Sequence, residues 1–491
     1  MRILLLNPPS EHAVREYSDQ THPSEKGAVE IEDFGLFPPL GLLYILASLR
    51  QRTPQHELFF LDCIAERIGH AQLAVKVAEM RPDVVGITSF TMALFDVCQA
   101  AREIRSVCGQ VHICLGGHHP IAFPFEAAQL PEFDSIIVGE GEQAFPALVQ
   151  ALERGADITH IQGVYTRESI QHHQGSLVAD PRFLTSVMVP PAYVEDLDLL
   201  PLPDRSVIQH LRYRSIVGVS DRLATMISSR GCPCNCSYCD VPFKRYRQRS
   251  ILSVADEIRV CLDSGYTEVH FYDDLFNITP ERVIAFCDEI SRRGYRLDWD
   301  FRGRVNSVTR ESLVRAREAG CRMISFGVET GSDEGLVLLK KNTSTEQVRK
   351  VFRWCRELGI LTIADFMIGL PFERSAADVR KNIDFLISID PDYAQFSILS
   401  LFPNTELFAD AARRGLIDPG RWNAFARQPL LEFYVDHWEE FIPMAEMLKL
   451  QRESYRRFYM RPRYIWRSLI ATASFHEFSS KLQGALKLLR G

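Results

Sequence analysis

Along residues 1–150, short unbroken apolar runs alternate with stretches whose apolar positions recur every three or four residues. The runs are "RILLLNP" (2–8), "HELFFLDC" (56–63), "DVVGITSFT" (83–91), "VHICLGGHH" (111–119) and "FDSIIVGEGE" (133–142). Between them, "PPLGLLYILASLRQ" and "LFDVCQAAREIRSV" carry the helical period. Short buried strands separated by helices predict a doubly wound α/β domain with a parallel sheet over 1–150. Such sheets bind ligands beyond the carboxyl ends of their strands.

Residues 151–220 lose this regularity, are rich in Pro and Asp ("VEDLDLLPLPDRS"), and read as an ordered linker. The alternation resumes over 221–430. Strands are predicted at "LATMISSRG", "EVHFYDD", "DWDFRGR", "RMISFGVET", "TIADFMIGL" and "YAQFSILSL", with longer helices between them. Six such units predict a partial or full parallel (β/α) barrel with its function at the strands' carboxyl ends. Residues 431–491 read as a helical, aromatic C-terminal region.

Composition places the 491-residue chain among globular proteins, at 46% hydrophobic and 24% charged. The apolar start "MRILLLNPPS" is cut short by two prolines and reads as a buried first strand rather than a signal peptide. No run approaches the roughly 20 apolar residues of a membrane span, so a soluble, cytoplasmic protein is expected. The net charge of −7 is uneven: residues 452–491 carry nine Lys/Arg against two Glu. That basic tail offers a surface for an anionic partner or peripheral membrane contact, or a solvated face against an acidic body. No nucleic-acid partner is expected.

Eight of the twelve cysteines are scattered singly through apolar patterns, as buried free thiols in a reducing compartment would be. The other four crowd into "SSRGCPCNCSYCD" (228–240) as Cys232, Cys234, Cys236 and Cys239. Zinc usually takes four ligands from two separated knuckles, and no second Cys/His pair stands at such spacing. A disulfide needs an oxidising compartment. Without Cys234 the spacing is Cys232-x3-Cys236-x2-Cys239, on the loop leaving the first barrel strand. Three thiolates on one compact loop suit a cubane iron–sulfur cluster with one iron left open.

This triad, with Tyr238 just before the last cysteine, resembles the radical S-adenosylmethionine (SAM) superfamily. Further motifs of that superfamily recur in order: "FYDD" (271–274), "FRGRVN" (301–306), "GVETGS" (327–332) and "FMIGLP" (366–371). The resemblance implies that Cys232, Cys236 and Cys239 hold a [4Fe–4S] cluster whose open iron chelates SAM. It assigns Tyr238, Asp273, Arg304 and Glu329 to SAM binding, and the Gly-hydrophobic-Pro turn to the neighbourhood of adenine. The implied chemistry is reductive cleavage of SAM to a 5′-deoxyadenosyl radical, fed by an electron donor such as flavodoxin or ferredoxin.

The first strand-to-helix turn, "NPPSEHAVREYS", lacks G-x-G-x-x-G, which argues against a nicotinamide or flavin site. Residues 1–150 instead resemble the Rossmann-like cobalamin-binding domains that precede many radical SAM barrels. Ser89-Phe90-Thr91 and Gly116-Gly117 end the third and fourth strands, and "GEGE" (139–142) follows the fifth. The resemblance places Ser89, Thr91, Gly116 and Gly117 around cobalamin. The D-x-H-x-x-G signature that gives cobalt its histidine is absent. His12 lies in the right loop at the wrong spacing, and His118 and His119 follow the glycines. A histidine-off cobalt is therefore implied.

These expectations describe a cobalamin-dependent radical SAM C-methyltransferase acting on an unactivated carbon of a small-molecule or lipid-like substrate. An oxidative cyclase or ring-rearranging enzyme would use the same cofactors, and a non-enzymatic cobalamin or cluster sensor is the remote alternative. Asp365, Tyr393 and Gln395 are the late-strand candidates for substrate contact. The tail "YRRFYMRPRYIWRSL" (455–469) is expected over the barrel mouth.

Overall fold

The computed structural model describes residues 1–12, 35–172, 190–215, 217–218, 220 and 222–471. The amino-terminal sheet contains β1 (Arg2–Asn7), β2 (Glu57–Asp62), β3 (Val84–Ser89), β4 (His112–Gly117), β5 (Ser135–Ile137) and β6 (Val164–Tyr165). Its order is β2-β1-β3-β4-β5-β6, parallel except for the β5–β6 pair. Both faces are covered, which explains the unbroken apolar runs. On one face α1 (Leu40–Arg52) and α4 (Gly141–Glu153) bury Leu46, Leu49, Phe145 and Leu148 with Ile3 and Leu5. On the other, α2 (His70–Met80) and α3 (Leu94–Cys108) pack Leu73, Val77, Val97 and Ile104 against Leu4, Leu6 and Ile87.

The helix in "PPLGLLYILASLRQ" begins only after its two prolines, at Leu40. Gly35–Leu36 instead pair antiparallel with Arg214–Ser215. The part of the linker that carries "EDLDLLPLPDRS" docks on the carboxyl-terminal half of the chain. Buried Arg205 there donates to the Thr225 carbonyl at 2.6 Å and to Glu257 at 2.5 Å.

The second sheet is an all-parallel arc in chain order: β7 (Leu223–Met226), β8 (Glu268–Phe271), β9 (Asp298–Gly303), β10 (Cys321–Glu329), β11 (Leu361–Ile368) and β12 (Tyr393–Ile398). Strands β7 and β12 are its two edges, so the barrel is partial. Helices α5 (Ile251–Asp263), α6 (Pro280–Arg292), α7 (Arg310–Glu318), α8 (Thr345–Leu358) and α9 (Ala376–Ile389) fill the intervals. Side chains alternate along each strand. Val269, Phe271, Trp299, Phe301, Ile324, Phe326, Ala364 and Phe366 join the helices' core. Thr225, His270, Asp300, Arg302, Ser325, Asp365 and Gln395 therefore face the lumen, with Thr225–His270–Asp300, Arg302–Ser325 and Asp365–Gln395 as the pairs in register.

The aromatic tail differs from expectation. Helix α10 (Met444–Tyr459) lies along the edge strand β12 rather than over the barrel mouth. The Tyr459 hydroxyl accepts from the Ala394 amide at 3.0 Å and bonds its carbonyl at 2.9 Å. Gln451 donates to the Phe396 carbonyl at 2.9 Å. Side chains thus satisfy an edge that would otherwise present free backbone groups. The basic positions after 471 lie outside the described residues. No helix among the described residues is long and apolar enough to cross a membrane.

Candidate active site

The cysteine loop leaves β7 through a short antiparallel bridge, Ser229–Arg230 against Arg247–Gln248. Gly231 turns it with φ +81°, where a Cβ would fall 2.4 Å from the Arg245 carbonyl oxygen, so only glycine fits. Backbone bonds then set its course. The Cys232 amide donates to the Phe243 carbonyl at 3.0 Å and the Ser237 amide to the Leu339 carbonyl at 3.2 Å. The Gly231 amide donates to Asp274 Oδ2 at 3.0 Å.

Asp273, assigned by resemblance to SAM, has both carboxylate oxygens turned to this scaffold. It accepts from the Ser228 amide at 3.0 Å, from the Ser228 hydroxyl at 2.8 Å, and from the Ser229 hydroxyl. The structure gives Asp273 the work of fixing the strand end that leads into the cysteines.

Cys232 is buried, and Cys234, Cys236 and Cys239 are half-buried, all as free thiols. Cations surround the loop. Arg304, just after β9, donates through Nη1 to Cys236 Sγ at 3.1 Å and through Nη2 to the Lys341 carbonyl. Lys244 donates to the Cys234 carbonyl at 3.4 Å. Cys234 is pulled down to about 6, first by the hydrogen bond from Cys232 and then by Arg304, Lys341 and Lys244. Burial pushes Cys239 up.

Glu329 ends β10 at φ +69°, in the left-handed region that a non-glycine residue rarely occupies, where the β10–β11 register shifts. Its Oε1 accepts from Tyr238 Oη at 2.7 Å and from Lys341 Nζ at 2.9 Å. Burial, and then the charge of Glu329, raise the Tyr238 phenol well above its ordinary range. The loop and β10 are thereby joined by a Tyr–Glu–Lys cluster. Lys341 went unread in the sequence: it sits in "LKKNTS" beside Lys340 like any solvated pair, yet it is 5% exposed. The Gly369-Leu370-Pro371 turn after β11 is closed by Glu373, which accepts from the Gly369 and Leu370 amides at 2.9 and 3.0 Å.

At the carboxyl edge of the first sheet, Ser89 Oγ donates to the Gly116 carbonyl at 2.8 Å. Gly117 has φ +91°, and a Cβ there would lie 2.6 Å from the Ser89 amide nitrogen and carbonyl oxygen. At Gly116 a Cβ would meet nothing nearer than the Ile87 carbonyl oxygen at 3.8 Å. That space is a cradle that any side chain would fill. Phe90, 66% exposed between Ser89 and Thr91, stacks on His118 with centroids 6.0 Å apart, an apolar platform beside the cradle. Thr91 Oγ1 bonds His119 Nδ1 at 3.1 Å, and burial pulls the His119 ring down to about 3.

The two regions meet. Glu140, from the "GEGE" stretch, bonds Arg247 at 2.7 and 2.8 Å and Arg230 at 3.0 Å, while Glu142 holds Arg230 at 2.5 Å. Burial would push the Glu140 carboxyl up, but Arg247 and Arg230 outweigh it and hold it below the usual range. Tyr44 of α1 lies under the Arg230 guanidinium, 5.5 Å from ring centroid to carbon. Arg230 and Arg247 are the bridge strands that open and close the cysteine loop.

Comparison with known proteins bears on this arrangement directly. The family profile described as "Radical SAM superfamily" matches residues 226–386, and the one described as "B12 binding domain" matches residues 31–149. The chain belongs to the radical SAM enzymes that carry a B12-binding domain. The two profiles together cover more than half of it. An uncharacterized methyltransferase of Pyrococcus horikoshii is 27% identical over 97% of this chain and 96% of its own. The anaerobic magnesium-protoporphyrin IX monomethyl ester cyclase of Rubrivivax gelatinosus is 27% identical over 90% of this chain and 77% of its own. Among solved structures, the radical SAM methyltransferase TsrM from Kitasatospora setae superposes with a TM-score of 0.64 at 22% identity, over 84% of this chain and 76% of that one. That likeness shows a shared fold.

The cofactors of this B12-binding radical SAM enzyme are a [4Fe–4S] cluster, SAM and cobalamin. The residues present fit them. Three thiols on one rigid loop among cations match a cluster's donor set, and the glycine cradle with its apolar platform matches a bulky ring.

Proposed function

We propose that this protein is a C-methyltransferase acting on an unactivated carbon, with the junction of the cysteine loop and the glycine cradle as its active site. The observation that carries the reading is the Glu140/Glu142–Arg230/Arg247 junction, which fixes the B12-binding domain against the two ends of the cysteine loop. Radical generation and methyl donation need adjacent cofactors, and this junction sets their separation. When bound, the cluster and SAM supply hydrogen-atom abstraction, and cobalamin supplies the transferable methyl group.

Cys232, Cys236 and Cys239 hold the cluster, with Arg304 tuning the Cys236 sulfur by its hydrogen bond. Glu329, oriented by Lys341 and Tyr238, accepts from the polar groups of SAM. Asp273 positions the loop. Ser89, Thr91, Gly116 and Gly117 line the cobalamin site. The lumen residues Asp365 and Gln395 meet the substrate; Asp365 holds Ser325 Oγ at 3.0 Å through Oδ2, and its buried Oδ1 has no partner among the described residues.

A cyclase reading shares the same cofactors and is favoured by the equal identity to the protoporphyrin ester cyclase. The two part at cobalamin remethylation. Anaerobic incubation of the reconstituted enzyme with reduced cobalamin and trideuteromethyl SAM should give labelled methylcobalamin and S-adenosylhomocysteine in equal amounts. Formation of neither, with 5′-deoxyadenosine still produced, leaves the cyclase reading in place of the methyltransferase.

A further inference from the structure

A cluster outside this machinery sits where the loop after β1 meets the first turns of α2 and α3. Asp96, 1% exposed, takes hydrogen bonds from two histidine rings on one oxygen: His12 Nδ1 at 2.8 Å and His70 Nε2 at 2.8 Å. Its second oxygen accepts from the His12 amide at 2.8 Å. An ionised carboxylate only accepts, so each ring donates the N–H that faces it. The lone pairs are left on His12 Nε2 and His70 Nδ1. His70 is 3% exposed, and its Nδ1 has no hydrogen-bond partner among the described residues. A bare buried acceptor is costly, so a ligand there would be stabilised. Glu11 stands beside it, its Oε1 accepting from the His70 amide at 3.2 Å. One donor atom each from Glu11, His12 and His70 lies within 4.8 Å of the others.

We propose that Glu11, His12 and His70 form a binding site for a divalent transition-metal cation, zinc being the best match, with Asp96 orienting the His70 imidazole. Two neutral imidazoles and a carboxylate are a borderline-soft set that leaves one tetrahedral position for water. Metal-bound histidines characteristically pass their other N–H to a carboxylate, and here buried Asp96 takes that of His70. A zinc ion at about 2.0–2.1 Å needs its ligand atoms closer than 4.8 Å, a gap closed by rotating the exposed Glu11 and by the half-exposed His12 ring exchanging its bond to Asp96 for the ion. The ion ties the loop after β1 to α2 and, through Asp96, to α3. This site is independent of the reaction proposed above.

The test uses the full-length, anaerobically reconstituted holoenzyme equilibrated with Zn(II) and desalted. Zinc, iron and cobalamin are then quantified, and zinc X-ray absorption is recorded. The expected result is about one zinc per chain with a nitrogen and oxygen shell, and about ten-fold or greater weakening in Glu11→Gln and in His70→Gln at unchanged iron and cobalamin content. Glu11 is exposed, so its variant carries the test if His70→Gln does not fold. Zinc bound through sulfur at about 2.3 Å would locate it on the cysteine loop and overturn the proposal. So would zinc uptake indifferent to both variants. Nitrogen superhyperfine splitting of cob(II)alamin that vanishes in His12→Gln would show that histidine serving cobalt instead, and would equally overturn it.

Discussion

Cys234 and Cys236 differ by two positions and, on this reading, by everything in role. Cys236 receives a hydrogen bond from the Arg304 guanidinium, whereas Cys234 takes one from Cys232 and only the charge of Arg304 and the lysines. A fourth protein thiolate would occupy the iron that SAM needs. Cys234→Ala should therefore keep about four irons per chain and near-normal SAM cleavage, while Cys236→Ala loses both; iron and sulfide analysis with 5′-deoxyadenosine quantification reads this out. Loss of the cluster in Cys234→Ala alone would make the triad wrong. At this scale the sequence was informative where chemistry forces spacing, as in the cysteines and the Gly116-Gly117 pair. It was silent on Lys341, whose burial beside Glu329 is set by contacts across 12 residues of chain that no local pattern encodes. For Asp273 the strand-end position was legible, but not that Ser228 and Ser229 would bond its oxygens.

At the scale of elements, the strands were legible because both sheets are parallel and buried, so each strand is an apolar run bounded by turn residues. The two-residue bridge at the cysteine loop and the placement of α10 on β12 were not, because each depends on a partner far away in sequence. The β3 and β4 ends give the sharpest test. Gly117→Ala must either abandon φ +91° or drive its Cβ into the Ser89 backbone. It should cost about 1–3 kcal/mol of stability, far more than Gly116→Ala. Conversely, Gly116→Ala should fold normally and fail to hold cobalamin, since its methyl only fills the cradle. Urea denaturation and bound-cobalamin absorbance separate the two effects.

For the whole molecule, the decisive contacts are those between domains. Glu140 is depressed in the folded state, so its stabilisation is fully present above the unfolded carboxylate pKa of about 4.3 and is lost as pH falls through its lower folded value. Removing one partner of such a buried pair costs roughly 3–5 kcal/mol. Glu140→Ala should therefore lower stability by that order at pH 7, and Glu140→Gln should flatten the acid limb of the stability curve below about pH 4.3. Denaturant titrations across pH 3–7 measure both. An acid limb as steep in Glu140→Gln as in the parent would assign it to other carboxylates.

The bracing of residues 229–239 has a consequence for oxygen. Asp273, Asp274, Phe243 and Leu339 hold the loop through serines and main-chain amides, and none of those bonds involves a sulfur atom. Small metal-folded domains collapse when their ion leaves. With its bracing independent of sulfur, the loop is expected to keep its course when the cluster is lost. Air exposure then strips a part from an intact machine, and repair is a matter of resupplying iron and sulfide to a vacant mount rather than making the protein again.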